Sequence, residues 1–101
     1  MEEKLHYYPR VDNTYFVSGF GHLASSNYAA GYYGYNWADV YSADFYQKFV
    51  QEGIFNKELG EKMRKCVLSK GDSKPASELA QDFLGRKVDI DNFLKDNGII
   101  N

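Results

Sequence analysis

The sequence has few of the features that would tie it to a disulfide scaffold, a membrane or a nucleic acid. Its single cysteine, Cys66, excludes an intrachain disulfide and is typical of proteins from a reducing compartment. No apolar run approaches the roughly 18–20 residues that a membrane-spanning helix needs. A net charge of −2 argues against a generic nucleic-acid or anionic-membrane surface. The acidic start, Met-Glu-Glu-Lys-Leu, does not resemble a secretory signal. We therefore expect an intracellular, cytoplasmic protein, with a mitochondrial location also compatible.

Metal ligands and catalytic motifs are scarce as well. The chain has two histidines, His6 and His22, and neither a His-Glu-x-x-His nor a Cys-x-x-Cys spacing. A catalytic zinc usually has about three protein ligands, so we predict no metal site within this chain. There is no glycine-rich phosphate loop and no nucleophile elbow. Cys66 falls on an apolar helical stripe, where it is interpreted as a small buried hydrophobic residue. The sequence therefore contains no complete active site.

Aromatic side chains are abundant, at 17% of the residues. They concentrate where charge is missing, because residues 13–38 contain no Asp, Glu, Lys or Arg. From Lys57 onward, charges of both signs recur every few residues. The second half therefore predicts amphipathic helices with solvated faces, whereas the first half predicts a segment that something else covers.

Residues that start and stop helices divide the chain into one long and three shorter helices, so the predicted fold class is all-α. The long helix is expected to begin near Tyr28, after candidate N-cap residues at 25–27, and to end at Gly53. Residues 1–24 are expected to be irregular or extended. The shorter helices would begin at Asn56, Pro75 and Asp89 and would be followed by Gly71, Gly85 and Gly98.

Three tyrosines would share one face of the long helix, since Tyr28, Tyr32 and Tyr35 are spaced at i, i+4 and i+7. Aromatic stripes with this spacing usually pack into a core, which is one interpretation. The other is a row of phenol donors facing an extended peptide, because buried Tyr hydroxyls need partners that this segment hardly offers. Gly31 and Gly34 each lower helix stability by about 1 kcal/mol, unless something must approach the backbone closely. The pattern leaves both interpretations open.

A family resemblance favours the second interpretation. The string from Phe20 to Trp37, Phe-Gly-His-Leu-Ala-Ser-Ser-Asn-Tyr-Ala-Ala-Gly-Tyr-Tyr-Gly-Tyr-Asn-Trp, resembles a catalytic-domain segment of the thimet oligopeptidase, oligopeptidase A and dipeptidyl carboxypeptidase family of zinc metallopeptidases. The resemblance covers roughly residues 15–101 and implies that residues 1–101 are one C-terminal portion of a larger, mainly helical catalytic domain. It continues through Ala38-Asp39-Val40, Ala43-Asp44, residues 52–56, residues 68–73 and Phe83-Leu84-Gly85-Arg86.

The resemblance also implies roles for four side chains. His22 would lie close to bound substrate. Tyr28 and Tyr35 would donate hydrogen bonds to the substrate and to the oxyanion of the tetrahedral intermediate, and Tyr32 would line the same face. A neutral phenol aimed at a developing oxyanion stabilises the transition state more than the ground state.

The resemblance implies that this chain contains only the substrate-binding and oxyanion-stabilising part of a catalytic site. The family's zinc motif, general-base glutamate and third zinc ligand lie upstream of the matched segment, so zinc is expected in the full-length enzyme and the isolated chain is expected to be inactive. Ser26-Asn27 stand where the family usually has glycines in a mobile loop. The predicted function is to supply substrate-binding and oxyanion-stabilising groups for the hydrolysis of short peptides. The alternative is a truncated or excised, non-catalytic binding module that self-associates through its aromatic segment into a homo-oligomer.

Overall fold

The computed structural model describes residues 8–9, 11–24 and 28–101, and it is helical, with no strand among those residues. The chain divides into two compact units, Met1–Tyr33 and Gly34–Asn101. The described part of the first unit contains the helices α1 (Phe16–Gly19) and α2 (Gly21–Ala24). The second contains α3 (Gly34–Glu52), α4 (Lys57–Cys66), a 3₁₀ helix (Leu68–Lys70), α5 (Ala76–Leu84) and α6 (Asp91–Asp96). The predicted class, one long helix followed by three shorter ones, is confirmed. No helix among the described residues is long and apolar enough to cross a bilayer.

The described part of the first unit has little regular structure. Its helices α1 and α2 are single turns of 4 residues each. Residues 28–33 form turns, in which the N–H of Gly31 donates to the carbonyl of Tyr28 at 3.2 Å. Such short elements gain few hydrogen bonds for the conformational freedom they lose, so they depend on side-chain packing for their order.

The long helix begins at Gly34, not near Tyr28 as the sequence predicted. The physical reason is the pair of glycines in its expected first two turns, which lower helix stability enough for residues 28–33 to adopt turns instead. The candidate N-caps at 25–27 lie outside the described residues. The predicted stripe is therefore wrong as a helix face, because Tyr28 and Tyr32 precede α3 and only Tyr35 belongs to it.

The predicted helix ends are largely confirmed. Gly53 follows α3 with a φ of 108°, and its N–H donates to the carbonyl of Phe49 at 2.8 Å. Gly85 follows α5 in the left-handed conformation, with a φ of 79°. Both torsions are ones that glycine adopts without steric cost, which is why these positions end helices. Near Gly71 the boundary differs, since α4 already ends at Cys66 and the 3₁₀ helix occupies the intervening residues.

The shorter helices begin one or two residues after the predicted positions, and of the predicted capping residues Asn56 is the observed N-cap of α4. The Asn56 side chain accepts hydrogen bonds from the N–H groups of Glu58 and Leu59, at 3.0 and 3.1 Å, and so caps α4. The helix α5 begins at Ala76, directly after Pro75, and so starts one residue later than predicted. The Asp89 carboxylate accepts from the N–H of Asp91 at 3.1 Å, at the first residue of α6.

The hydrophobic core of the second unit centres on Phe83, which is fully buried. Its ring lies 5.0 Å from that of Phe45 and 6.0 Å from that of Phe49, so α5 packs against α3 through aromatic contacts. Cys66 is partly buried and packs against this core, in agreement with its interpretation as a packing residue. The buried members of the cluster are Phe45, Leu59, Ala80, Phe83 and Leu84.

A buried carboxylate ties α3 to the segment that follows α5. Asp44 has no exposed surface, and its two oxygens accept from both terminal nitrogens of Arg86, at 2.7 and 2.6 Å. The backbone N–H of Asp89 and the side-chain amide of Asn92 add donors at 2.9 and 2.8 Å. Burial alone would raise the pKa of Asp44, but these hydrogen bonds and the Arg86 charge outweigh it and hold the pKa below its usual value. We call these four residues the carboxylate clamp.

Candidate functional site

Three of the four predicted site residues come together in the first unit. The ring of His22, on α2, lies 5.5 Å from the ring of Tyr28 and 5.2 Å from that of Tyr32, with interplanar angles of 79° and 63°. Such edge-to-face arrangements are favourable for aromatic pairs. The turn over residues 28–33, and not a shared helix face, places both phenol rings beside the imidazole.

Phe20 completes this group, and the sequence had not singled it out as a site residue. Its ring lies 4.8 Å from that of Tyr32 at an angle of 80°, and 5.6 Å from that of His22. It is half-buried, whereas His22 and the two tyrosines are exposed. The available signal was its place two residues before His22 in the motif string. We call Phe20, His22, Tyr28 and Tyr32 the aromatic cluster.

The exposure of the cluster bears on whether its tyrosines are core or binding residues. Tyr28 and Tyr32 keep 36% and 41% of their surface accessible, so they are not core residues of this structure. Each phenol can both donate and accept a hydrogen bond, and a neutral imidazole can do the same through its two ring nitrogens. The cluster therefore combines phenol and imidazole side chains with the apolar ring of Phe20.

Tyr35 is placed differently from the other three. It is the second residue of α3, within the helix's first turn, and it retains 46% exposure. Its backbone is thus fixed by the long helix of the second unit, whereas the aromatic cluster belongs entirely to the first unit.

The described residues do not fit a zinc site. No three His, Cys, Asp or Glu side chains in residues 8–9, 11–24 and 28–101 lie together as a ligand set. The aromatic neighbours of His22 are two phenols and a phenyl ring, which do not provide the thiolate, imidazole or carboxylate ligands that zinc prefers. His6 lies outside the described residues.

The fold and the aromatic cluster together describe a helical segment with exposed phenol and imidazole side chains. The comparison with protein families goes further: the whole of residues 1–99 matches the model described as Peptidase family M3. The chain belongs to this family, as the resemblance predicted.

Relatives with known names agree with this assignment. The chain is 44% identical over 84 residues to oligopeptidase A of Salmonella typhimurium, and 42% identical over 80 residues to the thimet-like oligopeptidase of Dictyostelium discoideum. These alignments cover 83% and 79% of the chain, and 12% of each relative. The dipeptidyl carboxypeptidase of Salmonella typhimurium is 35% identical over 91 residues, which is 90% of the chain and 13% of that relative. The chain thus spans about an eighth of the length of these relatives.

Proposed function

We propose that this chain supplies substrate-binding and oxyanion-stabilising side chains to a peptidase that hydrolyses short peptides. The observation that supports the proposal is the aromatic cluster, in which His22 contacts both Tyr28 and Tyr32 while all three remain exposed. Uncharged donors suit a peptide backbone, because peptide carbonyls accept hydrogen bonds without needing a charged partner. The relatives named oligopeptidases support the same substrate class.

The proposed roles differ between the four residues. His22 and Tyr32 contact the substrate and hold it in the ground state. Tyr28 and Tyr35 bind the substrate and also donate to the oxyanion that forms when the scissile carbonyl becomes tetrahedral. Because that oxygen gains negative charge only as the reaction proceeds, a donor aimed at it favours the transition state over the ground state.

The other half of the proposed site lies outside this chain. Zinc and its ligands are proposed to belong to the part of the family's polypeptide that the 12% alignments do not cover. When bound there, the metal would supply Lewis-acid chemistry at the scissile peptide. The residues of this chain are proposed to orient the peptide and to stabilise developing charge.

An intracellular location is part of the proposal. Its support is the single cysteine, which fits a protein that works in a reducing compartment without a disulfide framework.

A covalent chimera tests the catalytic role directly. This chain would replace the matching segment of Salmonella oligopeptidase A, and cleavage of a quenched fluorescent peptide would be measured. Activity in the chimera that falls when Tyr35 is changed to Phe supports the proposal. A fully active Tyr35→Phe chimera contradicts the oxyanion role, and a folded, zinc-loaded chimera without activity contradicts the proposed function as a whole.

The isolated chain provides a simpler test. Because the described residues hold no ligand set, the purified 101-residue protein should not cleave the same peptide, with or without added zinc. Turnover that a chelator abolishes would show that the chain carries a metal site of its own.

The alternative function, a binding module that self-associates, has one observation in its favour. Tyr15, Phe16 and Val17 in the uncharged segment are 69%, 76% and 63% exposed. Contiguous exposed apolar surface of this kind tends to become an interface. Light scattering across a concentration series separates the cases: a concentration-dependent mass above 11.6 kDa supports the alternative, and a constant 11.6 kDa contradicts it.

A further inference from the structure

The carboxylate clamp joins the start of α6 to the middle of α3. Asn92 is the clamp residue that belongs to α6, and its side-chain amide donates to Oδ1 of Asp44 at 2.8 Å. The N–H of Asp89, which precedes the helix, donates to Oδ2 of the same carboxylate at 2.9 Å. Because Asp44 is fully buried, these hydrogen bonds are shielded from competing water. The first residues of α6 therefore have a fixed position on α3.

From the clamp, α6 extends toward the first half of α3. Asp39 lies more than one helical turn before Asp44, and it lines the same depression as Asp96 and Asn97 at the end of α6. Asp39 is also about one turn after Tyr35 in the same helix. The helix α6 thus packs along the part of α3 that leads to Tyr35.

The start of α3 has little stabilisation of its own. Its first residue is Gly34, and its first turn contains no acidic side chain. Glycine disfavours a helix relative to alanine, and a carboxylate near the N-terminus would have favoured it. A helix end that lacks such local support depends on tertiary packing for its order. The contact with α6 supplies packing of this kind about one turn beyond Tyr35.

We propose that Asn92 is a positioning residue for Tyr35. By holding α6 against α3, its amide limits the motion of the first turn of α3 and keeps the Tyr35 hydroxyl where the oxyanion forms. Hydrogen bonds weaken steeply with distance and angle, and a misplacement of about 1 Å can lower a rate about 10²-fold. The inference rests on the proposed function in one respect, that Tyr35 donates to the oxyanion.

A double-mutant cycle in the oligopeptidase A chimera tests the coupling. Asn92→Ala removes one donor but leaves Arg86 and Asp89 bonded to Asp44, so the chimera should still fold. We expect kcat to fall about tenfold with little change in KM. In the Tyr35→Phe background the same change should lower kcat less than about twofold, because the hydroxyl that Asn92 positions is gone. Equal fold-changes in the two backgrounds, or an unchanged kcat in Asn92→Ala alone, would overturn the proposal.

Met63→Ala is the matched control for a general loss of stability. Met63 lies on α4 and packs against the core cluster, but it does not line the depression shared by α3 and α6. Its truncation should lower Tm at least as much as Asn92→Ala does, because it removes packed apolar volume. Its effect on kcat should be the same with Tyr35 and in Tyr35→Phe. If the effect of Met63→Ala also disappears in Tyr35→Phe, loosening of the whole unit explains both results and the proposal is wrong.

Hydrogen exchange locates the change without reference to activity. Deuterium uptake of the chimera is measured by mass spectrometry on peptides that cover residues 34–40 and 57–66. Asn92→Ala should speed exchange in residues 34–40 and leave residues 57–66 unchanged, since local opening follows the loss of local packing. Met63→Ala should speed exchange in residues 57–66. Unchanged exchange of residues 34–40 in Asn92→Ala would contradict the proposed positioning role.

The cycle also separates this inference from the proposed function. If Tyr35→Phe alone leaves kcat unchanged, the oxyanion role fails, and the positioning role fails with it. If Tyr35→Phe lowers kcat but Asn92→Ala acts equally in both backgrounds, the proposed function stands and only the positioning role of Asn92 is overturned.

Discussion

Different interactions stabilise the interior of each of the two units of this chain. The described part of the first unit consists mainly of two single helical turns and the turns of residues 28–33, with a few contacts between aromatic rings. Among its described residues, only Phe20 and Gly31 are half-buried and none is buried. The second unit contains all of the buried hydrophobic residues that the structure describes, together with the carboxylate clamp. The proposed substrate-contacting groups thus lie mostly in the unit with the least internal stabilisation.

Under the proposed function, this difference affects what mutations should do. Segments that bind ligands are commonly drawn from the less stable parts of a protein, because they must adjust around the ligand. The second unit, by contrast, fixes Tyr35 in the first turn of a long packed helix. Mutations should therefore separate into those that unfold the second unit and those that alter chemistry without unfolding it.

The largest expected effect on stability is that of Asp44→Ala. The change removes the acceptor of four hydrogen bonds and leaves donors of Arg86, Asp89 and Asn92 without it. We expect a loss of about 3 kcal/mol in the free energy of unfolding, measured by urea denaturation. Glu61→Gln is the control, since Glu61 also pairs with an arginine but is exposed and screened by solvent. A similar loss of unfolding free energy in both variants would mean that burial does not explain the contribution of the carboxylate clamp to stability.

The next effect is on catalysis in the chimera. Tyr35→Phe should lower kcat by about 10²–10³-fold, more than it raises KM, because the removed hydroxyl is proposed to act mainly in the transition state. Tyr28→Phe should act in the same direction but less strongly, since the loop before it departs from the family pattern at Ser26-Asn27. A raised KM with an unchanged kcat would assign Tyr35 to ground-state binding. Urea denaturation of both variants should match the parent chimera.

The comparison between units also shows what the sequence could and could not predict. Helix ends at Gly53 and Gly85 and the cap at Asn56 were predicted correctly, because each depends on a torsion or a hydrogen bond within a few residues. The start of the long helix was wrong because cap candidates at 25–27 were given more weight than the destabilising Gly31. Capping residues favour a helix there and glycine disfavours it, and residue types alone do not show which effect is larger.

Contacts between distant residues were beyond the reach of any local pattern. Asp44 and Arg86 lie 42 residues apart, and each was noted only within a separate matched motif. The contact between His22 and Tyr28 was not predicted either: the resemblance placed both near bound substrate, and the helix expected to align the tyrosines does not include Tyr28. Predicting either contact requires knowing the turn that brings the two residues together.

Acid should destabilise the second unit through the carboxylate clamp. The pKa of Asp44 is lowered on folding from an ordinary value of 3.8, so its carboxylate stabilises the fold above that pH. This stabilisation is lost as the pH falls below 3.8 and through the lower pKa of the folded state. Urea denaturation at a series of pH values should show a fall below about pH 4 that is smaller in Asp44→Asn. If the free energy of unfolding falls with pH equally in the parent chain and in Asp44→Asn, other carboxylates govern acid unfolding.

The smallest effect is expected from Phe20→Leu, which tests whether the ring contacts of the first unit matter. Leucine keeps apolar bulk but loses the edge-to-face contacts that the Phe20 ring makes with Tyr32 and His22. Aromatic pairs contribute about 0.5–1.5 kcal/mol beyond burial, so KM of the chimera should rise roughly two- to tenfold. The free energy of unfolding and kcat should stay close to those of the parent chimera, because Phe20 contacts His22 and Tyr32 but is not among the residues proposed to stabilise the oxyanion.

Phe16→Leu is the matched control for this change. Phe16 stacks on Phe20 at 5.6 Å and is 76% exposed, so its replacement removes one aromatic pair without removing the ring that contacts His22 and Tyr32. We expect an unchanged KM for Phe16→Leu. In the 101-residue chain, nuclear magnetic resonance should show shifted ring signals of His22 and Tyr32 in Phe20→Leu and smaller shifts in Phe16→Leu. If both variants raise KM equally, general loosening of the aromatic segment explains the effect, and Phe20 has no special positioning role.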